Sequence, residues 1–390
     1  MKIRLLIAAL GILLSAGCAG RRHTSGINTT DILSRAAEQY KVLAATTPAG
    51  RFPKSTTADG KLETSGSEWW CSGFYPGTLL YLYEQTKDGS LKSEALRRLK
   101  SLEKEQYNTA THDLGFMMFC SFGNANRLNP DDAYKQILLN SAKSLSTRFN
   151  PTIGCIKSWD SKNPSDFLVI IDNMMNLELL FWASRESGDP RFREIALIHA
   201  NTTMKHHFRP DHSSYHVINY DAKTGQPKQK RTAQGAANES AWSRGQAWGL
   251  YGFTVMFRET KDQKYLAQAE AIADFMLKHA NFPADKVPYW DFNAPGIPNA
   301  LRDASAAAIT ASALLELAGY VPARSAWYKQ TAASMLMRLS SNDYLAAPGT
   351  NAGFLLKHSV GHLPAKSEVD VPLSYADYYF VEALIRLKKS

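Results

Sequence analysis

Apolar positions recur with helical spacing along most of the chain after residue 30. Tyr265, Ala269, Ile272, Phe275 and Met276, for example, would share one face of a helix. This spacing predicts twelve helices, at about residues 31–46, 76–86, 91–106, 114–128, 131–149, 173–187, 190–208, 244–260, 263–280, 303–319, 323–340 and 374–388. Alternating runs of β-branched residues are scarce, so we expect little sheet.

The predicted helices form pairs. Junctions such as residues 83–99 and 257–273 share a helix end, a short turn containing Pro, Gly or Asp, and an amphipathic helix. First helices such as Met174–Ala183 and Ala304–Leu317 are apolar or small on most faces, which predicts a buried inner helix and a solvated outer one. Six such hairpins closing in a ring predict an all-α (α/α)6 barrel. An open solenoid is the alternative.

Long segments separate the hairpins and carry most of the aromatic residues. They cover about residues 46–75, 150–172, 209–243, 281–302 and 341–373. Loops longer than a dozen residues in a compact domain are usually functional. We therefore expect the active site where these segments converge.

Residues 1–22 are typical of a targeting region. A basic start with Lys2 and Arg4 precedes an apolar run and small residues that end at Cys18. The run is too short for a comfortable membrane span. We expect signal-peptide removal and lipidation of Cys18, which would anchor the protein in the periplasm or at the outer membrane. An ordinary secretory signal is the alternative, and residues 23–390 would form one catalytic domain in either case.

The net charge of the chain indicates which kinds of molecule it could bind. The 390 residues carry a formal charge of +9, and losing Lys2 and Arg4 leaves about +7. That mild positive excess suits an anionic substrate. The sequence has no run of Lys and Arg interleaved with aromatic residues, so we do not expect nucleic-acid binding. We expect a monomer or a weak oligomer.

Metal and cofactor sites are not expected. Three cysteines remain after Cys18, an odd number without a CxxC pair, so at most one disulfide is expected. His212 and His216 are four residues apart, but Pro210 precedes them. A turn or hairpin is therefore expected there instead of a helical metal site, and His216 is expected to donate a hydrogen bond to substrate.

The stretch Thr232–Gly252 concentrates polar and aromatic side chains. Gln234, Trp242, Arg244 and Trp248 lie within it, together with four glycines. Amides and guanidinium donate to hydroxyls and carboxylates, and indoles stack on sugar faces. The alternative is a buried helix start in which Arg244 forms an internal ion pair.

Two aspartates, Asp113 and Asp172, each precede an apolar inner helix. N-capping is the simpler interpretation of each aspartate alone. Because both lead inner helices of one ring, we expect them to face one cavity, where paired carboxylates serve general acid–base catalysis. Helix N-termini lower carboxyl pKa values, so a raised pKa would come from the partner carboxylate and from burial beside tryptophans.

The longest motifs resemble those of unsaturated glucuronyl hydrolases, glycoside hydrolase family 88. They are HDLGF at 112–116, IDNMMN at 171–176, SSYHVINYD at 213–221 and the stretch at 232–252, with WWCSGFYPG at 69–77, KSWD at 157–160 and SYADYYFVEALIRL at 374–387. The resemblance covers nearly all of the chain from about residue 30. Unsaturated rhamnogalacturonyl hydrolases share the ring fold but match the stretch at 232–252 less well.

The resemblance implies an (α/α)6 barrel without a metal or cofactor. Such enzymes act on the 4,5-unsaturated uronate that lyases leave at the non-reducing end of oligosaccharides. They protonate C4 of the enol ether and add water at C5, and the hemiketal then expels the partner sugar. Asp172 would be the proton donor and then the base, and Asp113 the second carboxylate, which holds sugar hydroxyls.

The resemblance also implies the substrate-binding residues. Contacts to the sugar would come from His216, Gln234 and Arg244, with Arg244 pairing the uronate carboxylate. The aromatic walls would be Trp70, Trp159, Trp242 and Trp248, and His112 would flank the site.

A far loop at residues 357–366 departs from the family pattern. Some streptococcal members carry Ser-x-x-Ser-x-Lys there, associated with sulfated glycosaminoglycans. Here Ser359 is followed by His362 and Pro364, so the pattern is incomplete. Lys366 would either reach an anionic partner sugar or remain solvated.

Two other functions are compatible with the same residues. A non-catalytic glycan-binding lipoprotein would use the tryptophans but not the paired acids. A polysaccharide lyase or sugar epimerase with this ring fold would act on other substrates.

Overall fold

The computed structural model describes residues 26–163 and 165–390. Within them, the α-helices are α1 Thr29–Thr46, α2 Phe74–Thr86, α3 Gly89–Leu102, α4 Asn124–Leu128, α5 Asp132–Ser146, α6 Leu177–Ser187, α7 Pro190–His206, α8 Ser243–Thr260, α9 Gln263–Lys278, α10 Ala304–Leu317, α11 Ser325–Leu339 and α12 Ser374–Lys389. The predicted targeting region lies outside the described residues. No helix in the described part of the chain is both long and apolar enough to cross a membrane.

Two inner helices begin with irregular turns. A π-helix at Gly115–Gly123 leads into α4, and a 3-10 helix at Ile171–Asn176 leads into α6. With these extensions, α2, α4, α6, α8, α10 and α12 pack side by side, and α12 packs back against α2. The odd-numbered helices lie outside this ring. The predicted (α/α)6 barrel is confirmed.

Burial separates the two rings. Every residue from Ser243 to Phe257 in α8 is buried, whereas α3 buries one stripe that includes Leu91, Ala95 and Leu99. Four outer helices, α3, α5, α7 and α9, begin after aspartate caps, such as Asp88 for α3 and Asp262 for α9, whose side chains accept a hydrogen bond from a backbone N–H in the first turn. These local caps account for the repeated junction pattern in the sequence.

The strands of the described chain are short and antiparallel. They are β1 Phe52–Thr56 with β2 Leu62–Ser65, β3 Phe149–Asn150 with β4 Cys155–Ile156, β5 Asp166–Ile170 with β6 Val217–Asp221 and β7 Pro227–Arg231, and β8 Ser359–His362 with β9 Ser367–Val371. All lie in segments that run from an outer helix to the start of the next inner helix. The long segments therefore gather at one end of the barrel, where the inner helices begin.

Candidate active site

A cavity of about 310 Å³ opens at the end of the barrel where the inner helices begin. Its lining consists of Lys54, Trp69, Trp70, His112, Asp113, Trp159, Ile170, Asp172, Gln234, Arg244, His362, Ser367 and Glu368. The volume is within the range of small-molecule sites. The positive ends of several helix dipoles point toward this end, which favours an anionic ligand. Both predicted aspartates lie in this one cavity.

Asp172 follows β5 and lies in the first turn of the 3-10 helix. Neither its side chain nor that of Asp113 caps the inner helix that follows. Asp172 is only 9% exposed, and its Oδ2 has no hydrogen-bond partner among the described residues. Burial raises the pKa of Asp172 to about 7; the Arg244 cation opposes the rise, and the Asp113 carboxylate adds to it. This carboxyl group can therefore hold a proton near neutral pH.

His216 is placed beside Asp172 by the pairing of β5 with β6. Ile170 lies opposite Val217, and the N–H of Ile171 donates to the carbonyl of His216. The backbone N–H groups of Ala233 and Gln234 donate to Nδ1 of His216 at 3.1 and 3.2 Å. The neutral ring therefore carries its proton on Nε2, which lies 3.7 Å from Oδ2 of Asp172.

Burial keeps this imidazole neutral. It lowers the pKa of His216 well below its usual value, and the Arg244 cation adds to the effect. The ring of Trp242 packs against His216 with centroids 4.5 Å apart. His216 is thus a neutral, fixed N–H donor beside Asp172. It is 4% exposed and does not line the cavity, so the structure places it behind Asp172 and not in the predicted contact with the sugar.

A second histidine faces Asp113. The amide of Asn173 donates from Nδ2 to the carbonyl of Ile156 at 2.7 Å, so its Oδ1 faces Nδ1 of His112 at 2.7 Å. Nδ1 is therefore the donor, and Nε2 lies 3.3 Å from Oδ1 of Asp113. That second contact is attractive only if a proton lies between the nitrogen and the oxygen. Burial lowers the pKa of His112, while Asp113 and Asn173 oppose the change.

Arg244 is 1% exposed, yet it lines the cavity. It pairs with Asp303 at 3.1 Å and donates to the carbonyls of Val360 and Gly361. Its guanidinium lies over the rings of Trp242 at 4.4 Å and Tyr375 at 5.3 Å. The internal ion pair considered for this residue is present, and it places the cation at the cavity wall.

The four predicted wall tryptophans separate into two pairs. Trp70 and Trp159 are half-buried and line the cavity. Trp242 and Trp248 are 2% and 0% exposed, and they do not line it. The structure corrects their predicted placement: Trp242 supports His216 and Arg244, and Trp248 packs on Phe116. The indole of Trp248 also acts on Asp172 by lowering its pKa.

The hairpin of β8 and β9 also differs from expectation. Ser359 is fully buried in β8 and does not line the cavity, and Lys366 is exposed outside its lining. The hairpin instead contributes His362, Ser367 and Glu368. Sequence reasoning missed these residues, along with Lys54 and Trp69. For Trp69 the sequence did contain an indication of a site residue, because Trp69 adjoins Trp70 in the motif at residues 69–77.

Side chains that could coordinate a metal ion are not grouped in the described part of the chain. In the described ranges, 26–163 and 165–390, no three His, Cys, Asp or Glu side chains are grouped to hold a metal ion. Cys71, Cys120 and Cys155 are free thiols, and burial raises the pKa of Cys71 to about 12. Cys71 and Cys155 are buried, Cys120 is partly buried, and none of the three lines the cavity.

Comparison with known sequences gives consistent matches over most of the chain. The family model of glycosyl hydrolase family 88 matches residues 45–278. An unsaturated glucuronyl hydrolase from Formosa agariphila is 49% identical over 341 residues, which are 87% of this chain and 85% of the relative. An unsaturated chondroitin disaccharide hydrolase from Streptococcus agalactiae is 31% identical over 349 residues, 87% of this chain and 86% of the relative.

Solved structures are also similar to this chain over most of its length. The crystal structure of an unsaturated glucuronyl hydrolase specific for heparin has a TM-score of 0.90 at 48% identity, covering 93% of this chain and 97% of that one. A variant of the Streptococcus agalactiae enzyme, complexed with dGlcA-GalNAc6S, has a TM-score of 0.82 at 28% identity and covers 95% of this chain and 94% of that one.

Proposed function

The chain belongs to glycoside hydrolase family 88, and from this premise we propose that it removes the 4,5-unsaturated uronate from the non-reducing end of lyase-generated, glycosaminoglycan-type oligosaccharides. It is a glycosidase of the unsaturated glucuronyl hydrolase type. The observation that carries the detailed proposal is Asp172: a buried carboxyl group with a pKa of about 7 and an unpartnered oxygen in the cavity.

The proposed reaction begins at the C4=C5 enol ether. Protonated Asp172 gives its proton to C4, and positive charge develops at C5 and the ring oxygen. The resulting carboxylate then takes a proton from water as the water oxygen bonds to C5. The C5 hemiketal opens to a ketone and its hydroxyl proton passes to the ring oxygen, which leaves a hemiacetal at C1. That hemiacetal collapses to an aldehyde, and its hydroxyl proton goes to the oxygen of the departing partner sugar. A pKa near the working pH suits a group that acts first as acid and then as base.

The surrounding residues have complementary proposed roles. Nε2–H of His216 stabilises the Asp172 carboxylate that forms after proton transfer. Asp113, which already accepts from the hydroxyl of Thr111 at 3.0 Å, accepts a sugar hydroxyl on its remaining lone pairs. Gln234 donates to the carbonyl of Gly361 at 2.9 Å, which leaves its side-chain oxygen to accept from the sugar. Arg244 attracts the uronate carboxylate.

We propose heparin-type disaccharides as the preferred substrates. The relative that is specific for heparin shares 48% identity with this chain, whereas the chondroitin-directed streptococcal relative shares 31%. The incomplete Ser-x-x-Ser-x-Lys pattern, with Ser359 buried and Lys366 outside the cavity lining, separates this chain from the streptococcal members that carry the pattern.

For location, we propose a lipid anchor on Cys18 in the periplasm or at the outer membrane. The proposal rests on the pattern of residues 1–22. Replacing Cys18 with Ser should move the protein from the membrane fraction to the soluble fraction of cells. Retention of the Cys18→Ser protein in the membrane fraction would contradict the anchor.

The catalytic proposal is tested by ultraviolet absorbance of the conjugated uronate. Disaccharides made by lyases from heparin, chondroitin and hyaluronan are incubated with wild type and with Asp172→Asn, after both proteins are shown to be folded by circular dichroism. Loss of absorbance with wild type alone is expected, fastest with the heparin disaccharide. Equal loss with both proteins would refute the role of Asp172, and loss with neither protein would refute the proposed function.

A further inference from the structure

Trp69 and Trp70 are adjacent in the chain but lie in different environments. Trp70 packs into the core, with its ring 5.6 Å from Phe116 and 4.8 Å from Tyr375. Trp69 is 44% exposed and lines the same cavity as Asp113 and Asp172. An exposed indole at the mouth of a polar cavity is a surface on which a ligand can stack.

A lysine that is part of an ion pair lies over the ring of Trp69. The ammonium of Lys54 lies 5.4 Å from its ring centroid, and Lys54 pairs with Glu368 at 3.3 Å. Lys54 belongs to β1 and Glu368 to β9, so two segments about 300 residues apart meet beside the indole. The pair offers a ligand one donor and one acceptor next to an aromatic face.

The backbone around Glu368 is shaped for this arrangement. Glu368 has a positive φ of 54°, a conformation that side-chain-bearing residues rarely adopt. A Cβ at Gly361 would lie 2.3 Å from the Glu368 carboxylate, so only glycine leaves room for that side chain to cross the hairpin. The position of Glu368 is thus built into the β8–β9 hairpin.

We propose that Trp69, Lys54 and Glu368 form the subsite for the sugar that is attached to the unsaturated uronate. The inference rests on the proposed function. The reacting ring must reach Asp172 on the buried floor, so the next sugar extends toward the exposed rim where Trp69 lies. The apolar face of a hexosamine ring stacks on the indole, and its edge hydroxyl or amide hydrogen-bonds with Lys54 and Glu368.

The test compares two substrates that differ only in this second sugar. One is the unsaturated heparin-type disaccharide, and the other is the methyl glycoside of the unsaturated uronate. Trp69→Ala should lower kcat/KM about tenfold on the disaccharide, through KM, because one stacking contact is lost. It should leave the methyl glycoside unchanged. Trp69→Phe should recover most of the loss, and Lys54→Ala should show the same selectivity with about a threefold effect.

The control is Trp327→Ala, which removes a half-buried tryptophan from the outer helix α11 and should match wild type on both substrates. If Trp69→Ala lowers kcat/KM equally on the two substrates, or does not lower it on the disaccharide, the proposed subsite is wrong. Turnover by wild type would still support the proposed function in that case. Failure of wild type to turn over either substrate would overturn both.

Discussion

The two ends of the barrel differ in how their buried polar groups are satisfied. The end opposite the candidate site holds a cavity of about 400 Å³, larger than the 310 Å³ of the site. Its charges are paired: Glu316 accepts from Arg258 and Arg386 at 3.0 Å each, and Glu382 accepts from Tyr81 and Tyr251. At the site end, Oδ2 of Asp172 and Nε2 of His216 lack hydrogen-bond partners in the described chain.

Of these two cavities, the smaller one holds the unpaired carboxyl oxygen, so cavity volume alone does not distinguish the candidate site. A buried polar atom without a partner costs folding free energy, and most such atoms in proteins are paired. Unpaired groups persist where a ligand completes them. None of the buried side-chain nitrogen or oxygen atoms of the residues that line the opposite cavity lacks a partner.

The largest difference between the ends should appear in activity. Asp172→Asn should lower kcat/KM by about a thousandfold or more, because a group that transfers a proton in two steps is lost. Glu382→Gln, a similar change at the opposite end, should leave kcat/KM within about threefold of wild type. The absorbance assay measures both. Comparable losses in the two variants would remove the functional distinction between the ends.

Stability should respond in the opposite way. Arg258 pairs with Glu178 and Glu316, and Arg258→Met leaves these two partly buried carboxylates with fewer partners. We expect the free energy of unfolding to fall by about 3 kcal/mol in denaturant titrations, while kcat/KM of the folded variant stays near the wild-type value. A stable variant with low activity would show that the opposite end takes part in catalysis.

Local sequence features predicted most of the fold. The apolar spacing and the aspartate caps act within one or two helical turns, so helix positions were predicted to within a few residues. The irregular starts at 115–123 and 171–176 were not, because their geometry depends on a tertiary contact: the side chain of Asn176 accepts the N–H of Phe116, and Gly115 packs directly against Asn176. An apolar pattern carries no information about that contact.

The candidate site was predictable to a similar extent. Asp113, Asp172 and His216 stand in contiguous motifs and do gather in or beside the cavity. Lys54 and Glu368 come from strands at opposite ends of the chain, and their meeting depends on the packing of β1 against β9. The burial of Trp242 and Trp248 likewise depends on how the inner helices pack into a closed barrel, and a local sequence motif does not predict that packing.

The raised pKa of Asp172 predicts a pH-dependent cost to stability. The native carboxyl binds its proton up to about pH 7, whereas the ordinary value is 3.8. The native state therefore holds more protons than the unfolded state between these values, and the free energy of unfolding falls as pH rises through this window. The Asp172→Asn variant has no carboxyl group at this position, so its free energy of unfolding does not fall for this reason.

The variant should thus gain stability over wild type, by an amount that grows from pH 4 to pH 7 and reaches on the order of 4 kcal/mol. Asp377, whose pKa burial also raises to about 7, is present in both proteins, so the difference between them isolates Asp172. Denaturant titrations across this range measure the effect. A difference that does not change with pH would mean that the carboxyl group is ionised throughout.

The smallest effect concerns the tautomer of His112. In Asn173→Ala, Nδ1 of His112 loses its acceptor, so the neutral ring can carry its proton on Nε2 and donate to Asp113. That hydrogen bond would occupy lone pairs of Asp113 that are proposed to accept a sugar hydroxyl, so we expect kcat/KM to fall about tenfold.

Asn124→Ala is the matched control at the opposite end, where the amide donates to Cys120 and Tyr378. It should leave kcat/KM near the wild-type value. Equal losses in the two folded alanine variants would assign Asn173 a purely structural role. A loss confined to Asn173→Ala would instead show that an amide with no substrate contact sets the tautomer of the histidine beside Asp113.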